Sequence, residues 1–330
     1  REKAPGPDHP DVANSLNNLA ALYKDQGRYA DAEPLYKRSL AIREKGLRPD
    51  HPDLAISLNN LAGLYRDAGD RASGLDYIRR AVSIMRSRAT RSGGNDAGRL
   101  SEQKSNRDTF LFHTKAALAA GVPEQQDSVA AEAFESAQLA SATQAGAAIA
   151  RMAARFAAGN DDLARLVRER QDAADRWQTL DKALVSAVGQ PPGKRNAKKE
   201  TVLRKTLKGL DKRIAEIDRK LTTAFPQYAA LTSNQPASLA DIQALLEPDE
   251  AMVSYLSGFK QTIVFALRHD RVSVKVIKLS ANELKGAVGI LRRGLDLTGL
   301  NRLPSFDTTE AFALYQKIFK PVEPLLEGAR

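Results

Sequence analysis

"HPDVANSLNNLAALYKDQGRY" runs from His9 to Tyr29, and "HPDLAISLNNLAGLYRDAGDR" runs from His51 to Arg71. Near-identity at a fixed offset of about 42 residues is the mark of a helical repeat array. Within a copy, Leu16, Leu19, Ala20 and Tyr23 fall at i, i+3, i+4 and i+7, one face of an amphipathic helix. Gly27 ends that helix, because glycine takes the left-handed conformation of a C-terminal turn without a Cβ clash. Tyr29, Ala32, Tyr36 and Leu40 mark a second helix, and the small Ala20 and Ala32 let the two approach closely. In "RPDHPD", Pro49 and Pro52 lack N–H donors and break the second helix. Asp53 then suits the first turn of the next one. A single helix–turn–helix unit cannot bury its apolar face alone, so the copies stack. The opening "REKAPGPDHP" parallels "REKGLRPDHP", the run into the second copy, so the chain is expected to begin inside the tail of an earlier copy.

The pattern Leu-Ala-x-x-Tyr followed by Gly-x-Tyr-x-x-Ala resembles the tetratricopeptide repeat, and the longer period and wording resemble the kinesin light chain type of that repeat. The resemblance assigns residues 1–90 to the repeats. The second copy loses the wording towards its end: Ala32 is matched by Gly74, and Glu33-Pro34 by Leu75-Asp76. A Ser/Gly/Asn linker follows at 92–98, and residues 99–160 read as a helical capping or connecting region.

Composition bounds what the chain can do. Its 330 residues allow two or three domains with cores of their own. Aromatics are only 6% and alanine is abundant, which favours packed helices over a sandwich. No run of about 18 apolar residues exists, so no membrane span is expected, and the location that fits is cytoplasmic. Cysteine is absent, which removes disulfides, thiolate metal sites and a thiol nucleophile from this polypeptide. Lys and Arg number 50 against 40 Asp and Glu, a net charge of +10, which reads as a solvated basic surface or, more sharply, as a match for an acidic partner, nucleic acid or peptide.

On the first helix of each copy, Asn17, Ala21 and Lys24 lie beside the core stripe, and Asn59, Gly63 and Arg66 repeat them. An asparagine amide both donates to and accepts from a peptide backbone, and a cation one turn on meets a carboxylate. Asn17, Lys24, Asn59 and Arg66 are therefore the candidate peptide-binding residues. The resemblance implies the same, since peptide-binding tetratricopeptide proteins use such positions on an inner concave face. The competing reading makes the asparagines, or their neighbours Asn18 and Asn60, pins between repeats.

Further along, Leu163, Leu166, Arg170, Ala173, Trp177, Leu180, Leu184 and Ala187 alternate spacings of three and four, as do Leu203, Leu207, Leu210, Ile214, Ile217, Leu221 and Ala224. Such seams, split by the breaker "GQPPGKRNAKK", predict an antiparallel helical hairpin over 161–225 with coiled-coil packing and a basic tip. No aromatic is interleaved among those bases to stack on nucleotides, so nucleic acid is disfavoured as a partner. From Ala251 the period switches to two: "AMVSYLS", "QTIVFALR" and "VSVKVIKL" predict a small antiparallel sheet, with His269-Asp270 at a tight turn. Helices are predicted from Ala281 to about Leu295 and from Thr308 to about Phe319.

"EAFESAQLA", "LVRERQDAADRWQTLDKAL", "FPQYAALTSNQPASLADIQALLEPDEAMVSYL" and "LYQKIFKPVEPLL" resemble, in this order, bacterial tetratricopeptide-repeat proteins that carry a CHAT domain, a caspase-like domain. The resemblance implies that residues 236–330 are the incomplete N-terminal part of that domain, the start of an α/β fold. It implies that full-length relatives are cysteine peptidases, or degenerate versions, whose His–Cys dyad lies beyond residue 330. No catalytic residue of that family can be carried onto this chain. His9 and His51 fall in repeat turns, His113 on a helix and His269 in a hairpin, and the sequence assigns none of them a nucleophile partner. The expected whole is mostly α: repeats, a long helical hairpin, then a small sheet with helices. It has no enzyme activity in this chain, no cofactor and no metal, and a protein or peptide partner, an acidic one on the sharper reading of the charge.

Overall fold

The computed structural model describes residues 9–91, 96–120, 126–141, 161–190, 192–232, 236–295 and 305–329. Residues 92–95 of the expected linker and 142–160 of the expected connecting region lie outside them. The chain forms two compact units. One holds the residues up to Ala120 together with Ala142–Gln235, and the other holds Gly121–Ser141 with Pro236–Arg330.

In the first unit, α1 (Pro10–Asp25), α2 (Tyr29–Gly46), α3 (Pro52–Asp67) and α4 (Arg71–Arg91) are two stacked helical pairs. Each pair starts in the same way. His9 and His51 are the N-caps of α1 and α3, and each Nδ1 accepts the backbone N–H of Asp11 or Asp53 at 3.1 Å. Pro10 and Pro52 occupy the first helical position, where no N–H is needed. Gly27 and Gly69 close α1 and α3 with φ of 74° and 89°. The second copy's departure from the pattern still packs: a Cβ on Gly74 would sit 3.3 Å from the Ala62 carbonyl oxygen, so α4 lies hard against α3.

The apolar stripes read from the sequence supply much of the core, although Leu19 of α1 is 40% exposed and Leu16 and Tyr23 are half-buried. Ala13, Ala20, Ala32, Tyr36 and Leu40 are buried in the first copy, and Leu54, Leu58, Leu61, Ala62 and Leu64 in the second. Arg43 crosses between the copies. Its guanidinium donates to the Asp53 carbonyl at 2.9 Å, to Ser57 Oγ at 2.7 Å and to Asn14 Oδ1 at 2.7 Å, while Ser39 Oγ donates to the Ala13 carbonyl at 2.7 Å. Tyr65 of α3 donates its hydroxyl to Glu33 of α2 at 2.7 Å. α5 (Asp96–Ala120) packs against α4.

The helical hairpin is α7 (Asp161–Val188) and α8 (Ala197–Ala224), continued by the short α9 (Pro226–Thr232). Its antiparallel sense follows from the pairing: Arg170 meets Asp218 at 3.0 Å, and Trp177 Nε1 donates to Asp211 at 2.8 Å. Two apolar clusters fill the seam, Leu163, Leu166, Ile217, Leu221 and Tyr228 at one end and Ala173, Trp177, Leu184, Val188, Leu203, Leu207 and Ile214 at the other. The basic tip is tied rather than free. Asn196 caps α8, and Arg195 grips the buried Glu200 with two hydrogen bonds of 2.8 and 2.6 Å.

The array docks on this hairpin through the turn between its copies. Leu47 packs into the Trp177 cluster, and Arg204 donates to the Gly46 carbonyl at 2.7 Å. Arg48 and Arg88 lie over the Trp177 ring, 5.3 and 5.5 Å from its centroid. Arg48 pairs with Asp50 and Asp211 at 3.0 Å each, and Arg88 with Asp181 at 3.3 Å.

The second unit is built on β1 (Met252–Ser257), β2 (Thr262–Leu267) and β3 (Val272–Ile277), an antiparallel sheet in the order β1-β2-β3 with Val253 opposite Ala266 and Phe265 opposite Val274. α6 (Gln126–Ala140), α10 (Leu239–Leu245), α11 (Ala281–Arg293), α12 (Thr308–Ile318) and α13 (Glu323–Leu326) surround it. Every residue of β2 is buried. Val264 and Ala266 pack on Val322 and Leu325, whereas Phe265 turns to the other face and meets Phe134 of α6 edge-on at 5.4 Å. Gln138 locks α6 to the strand-entry segment, exchanging hydrogen bonds of 2.8 and 3.0 Å with Ala237. Arg268, also buried, donates to the carbonyls of Pro248, Leu325 and Glu327 and so fastens the C-terminal segment under the sheet.

Trp177 is the one tryptophan of the chain, so its emission reports the docked hairpin directly. Asp211→Ala strips the buried indole N–H of its acceptor and Arg48 of a counter-ion, and should cost about 1–3 kcal/mol in urea unfolding followed by that emission. His51 caps α3 only while its Nδ1 is unprotonated, and burial, ahead of the Arg88 charge, holds its pKa below the ordinary 6.5 despite nearby Asp53, Asp181 and Asp50. A depressed folded pKa means that the unfolded chain binds the proton more tightly. The cap's stability is complete above the unfolded value and declines as pH falls below about 6.5. His51→Asn keeps a capping oxygen and should flatten the decline of urea midpoint between about pH 7 and 5.

Candidate functional site

The flank of α1 that meets α3 carries the predicted residues of the first copy. Asn17 and Lys24 stand one turn on from the buried Ala13 and Ala20, on the same side of the helix, and the 42-residue offset puts Asn59 and Arg66 beside Ala55 and Ala62 in the same way. All but Arg66 are half-buried, as expected of residues that line a groove or a seam; the Arg66 side chain is 55% exposed.

The structure brings these residues together unequally. Asn60 Nδ2 donates to Asn17 Oδ1 at 2.9 Å, so the amides of consecutive copies pair across the repeat boundary. That bond uses one donor and one acceptor. Asn17 Nδ2 and Asn60 Oδ1 make no further hydrogen bond among the described residues, so the pair keeps both donors and acceptors of the kind that a peptide group takes. Asn59, the sequence equivalent of Asn17, makes no side-chain hydrogen bond among the described residues.

Lys24 and Arg66 converge on one carboxylate. Lys24 Nζ lies 3.0 Å from Asp67 Oδ2, and Arg66 Nη2 lies 2.7 Å from Asp67 Oδ1. The Lys24 stem crosses Gly63 on its way, with Cε 3.8 Å from where a Cβ would stand, an ordinary contact distance. Burial pushes the Asp67 carboxyl up, but the hydrogen bonds from Lys24 and Arg66 outweigh it and hold Asp67 below the usual carboxylate range.

Two residues outside the repeats join the site. The Arg66 guanidinium lies over the Phe112 ring of α5, 4.9 Å from its centroid. Lys115, one turn further on, is half-buried, and its pKa is lowered by burial first and by the Arg66 charge second. Nothing in the repeat wording marks Phe112 or Lys115. The signal that could have found them is spacing: Ala21–Lys24, Gly63–Arg66 and Phe112–Lys115 are each three apart.

A cleft of about 350 Å³ lies elsewhere in the first unit, lined by Arg48, Pro49, Asp50, Ser83, Ile84 and Ser87. Its cation and its carboxylate, Arg48 and Asp50, neutralise one another. Among the described residues no three His, Asp or Glu side chains converge as metal ligands, and no helix is long and apolar enough to cross a membrane.

Asp67 offers a direct test of this geometry. Because its folded pKa is depressed, the stability that it contributes is present above the unfolded value and is lost as pH falls below about 3.9. Asp67→Asn should remove that part of the acid-side slope of the urea midpoint, measured through Trp177 emission.

Comparison with known proteins agrees with the repeats. The tetratricopeptide repeat family matches residues 1–45 and 11–87. No curated protein matches the sequence. Among solved structures, one described as a kinesin light chain from Podosopora anserina, with nearly identical TPR-like repeats, is similar at 17% identity and a TM-score of 0.29, covering 68% of this chain and 95% of that one. Residues 1–87 are therefore tetratricopeptide repeats, a fold that generally mediates protein–protein interaction.

Proposed function

We propose that the chain is the interaction and regulatory portion of a tetratricopeptide–CHAT protein, and that its repeats bind an extended segment of a partner protein over Asn17, Lys24, Asn59 and Arg66. The observation that carries this reading is the Asn17–Asn60 pair, whose spare donor and acceptor lie on the same face as the Lys24–Asp67–Arg66 cluster. A site of paired amides beside excess positive charge suits a peptide backbone with an acidic side chain nearby. The tied-down cations elsewhere support it by contrast: Arg43, Arg48 and Arg88 are engaged inside the fold and are not available to a partner.

Within this reading residues 1–90 bind, 99–160 connect, the hairpin at 161–225 relays position, and 236–330 form the opening part of a CHAT domain in a bacterial cytoplasm. The alternative function makes the chain the regulatory half of a caspase-like cysteine peptidase with its His–Cys dyad beyond residue 330. It is favoured by the quoted segments that resemble CHAT proteins and by a sheet whose central strand is covered on both faces, as α/β domains require. A reading frame that continues past Arg330 with a histidine and a cysteine at strand ends would support it.

The groove itself is tested by selecting short random peptides for binding to the intact chain. Replacing both Asn17 and Asn59 with alanine should weaken the selected peptides by about 1–3 kcal/mol, cost the fold no more than the one Asn60–Asn17 hydrogen bond, about 0.5–1.5 kcal/mol, and leave an affinity that falls with added salt. Unchanged binding together with earlier unfolding would make the asparagines pins between repeats and end the groove reading.

A further inference from the structure

α5 lies outside the residues matched by the repeat family, yet it stands where the first helix of a third repeat would stand. It packs on α4 as α3 packs on α2, and it presents Phe112 and Lys115 to Arg66. Their spacing of three equals that of Gly63 and Arg66 in α3, and of Ala21 and Lys24 in α1. The three helices thus align a ladder of cations, Lys24, Arg66 and Lys115, on one face. Only Asp67 offsets them: it pairs with Lys24 and Arg66, and among the described residues Lys115 has no carboxylate partner.

We propose that α5 completes the groove, and that an acidic side chain of the bound peptide seats between Arg66 and Lys115 above the Phe112 ring. The inference rests on the groove reading and adds the residue, the ligand group and its spacing. Half-burial makes the Lys115 ammonium costly to leave alone, and a ligand carboxylate is what relieves it. The Phe112 ring lies 4.9 Å under the Arg66 guanidinium, whose Nε and Nη2 hold Asp67 Oδ1. Packed helices lie about 8–10 Å apart, and an extended chain advances about 3.3 Å per residue. An acid over α3 and α5 therefore sits about three residues from the peptide group held by the Asn17–Asn60 pair. The single carboxylate of Asp67 inside the ladder repels a closely spaced run of phosphates, which favours a peptide over a nucleic acid.

The test uses the intact chain and a fluorescein-labelled short peptide repeating Glu-Ser-Gly, with a Gln-Ser-Gly peptide and a peptide of the same composition with its glutamates in one block as controls. The periodic acidic peptide should bind about tenfold more tightly than the glutamine peptide, and more tightly than the blocked one. Lys115→Ala should weaken it about five- to tenfold and Lys115→Arg should restore it, with the urea midpoint showing that each variant is folded. If Lys115→Ala binds as the parent does while the Asn17/Asn59 double variant is weakened, the seat is wrong and the groove stands. If neither this peptide nor any selected peptide binds the parent chain, both fall. If single-stranded oligothymidylate binds more tightly than the periodic peptide and Lys115→Ala weakens the two alike, the face reads charge alone and the proposal is overturned.

Discussion

Arg43 is the hinge of the repeat stack. It is 7% exposed, and its three hydrogen bonds reach a backbone carbonyl, a hydroxyl and an amide oxygen, with no carboxylate in contact. Burial lowers its pKa, partly offset by the charge of Asp53, but a guanidinium starts so high that it keeps its proton. A buried cation is tolerated only where its donors find acceptors in fixed places. Here two of the acceptors belong to α3 and one to α1, so the guanidinium is satisfied in one stacking register alone. A slip of one helical turn would strand it. The same register sets every cross-repeat contact on the opposite face, including Asn17 with Asn60 and Lys24 with Asp67.

A second constraint follows from where α2 ends. The carbonyls of its last turn point at the hairpin, and Arg204 takes one of them. Trp177 then sits between Arg48 and Arg88, whose charges are answered by Asp50, Asp211 and Asp181. Cation–ring contacts strengthen when desolvated, and these are covered by Leu47 and the hairpin core. The array is thereby seated on a rigid support rather than strung beside it, and a groove on a rigid support loses less entropy when it binds.

Much of this was legible in the residues. The repeats, the turn glycines, the hairpin seams and the three strands all follow from period and from Gly and Pro placement. What was not legible depends on partners distant in sequence. The capping role of His51 was hidden because histidine is an uncommon cap, and only burial keeps its Nδ1 free to accept. β2 reads as a strand with one wet face, yet α6, more than a hundred residues upstream, covers that face through Phe134. The basic tip reads as a cluster of like charges, but Glu200 ties Arg195 and the end of α2 claims Arg204. Of the predicted site, Lys24 and Arg66 meet through Asp67, which repeats Asp25 of the first copy. Asn17 pairs with Asn60 rather than forming one rung of a simple ladder with Asn59.

The contrast between core and groove explains why the site was harder to read than the fold. Positions that stack copies must be nearly the same in every copy, so repetition exposes them: Leu58 matches Leu16 and Ser57 matches Ser15. Beside those positions the copies agree less: Asn17 and Asn59 are the same, but Ala21 gives way to Gly63 and Lys24 to Arg66, and in α5 the repeat wording is lost while the three-residue spacing persists. Lys24 crosses Gly63 to reach Asp67, whereas Phe112 of α5 lies under Arg66. What stands three residues before each cation thus changes from a small residue in α1 and α3 to a ring in α5, and repetition alone does not expose such a change.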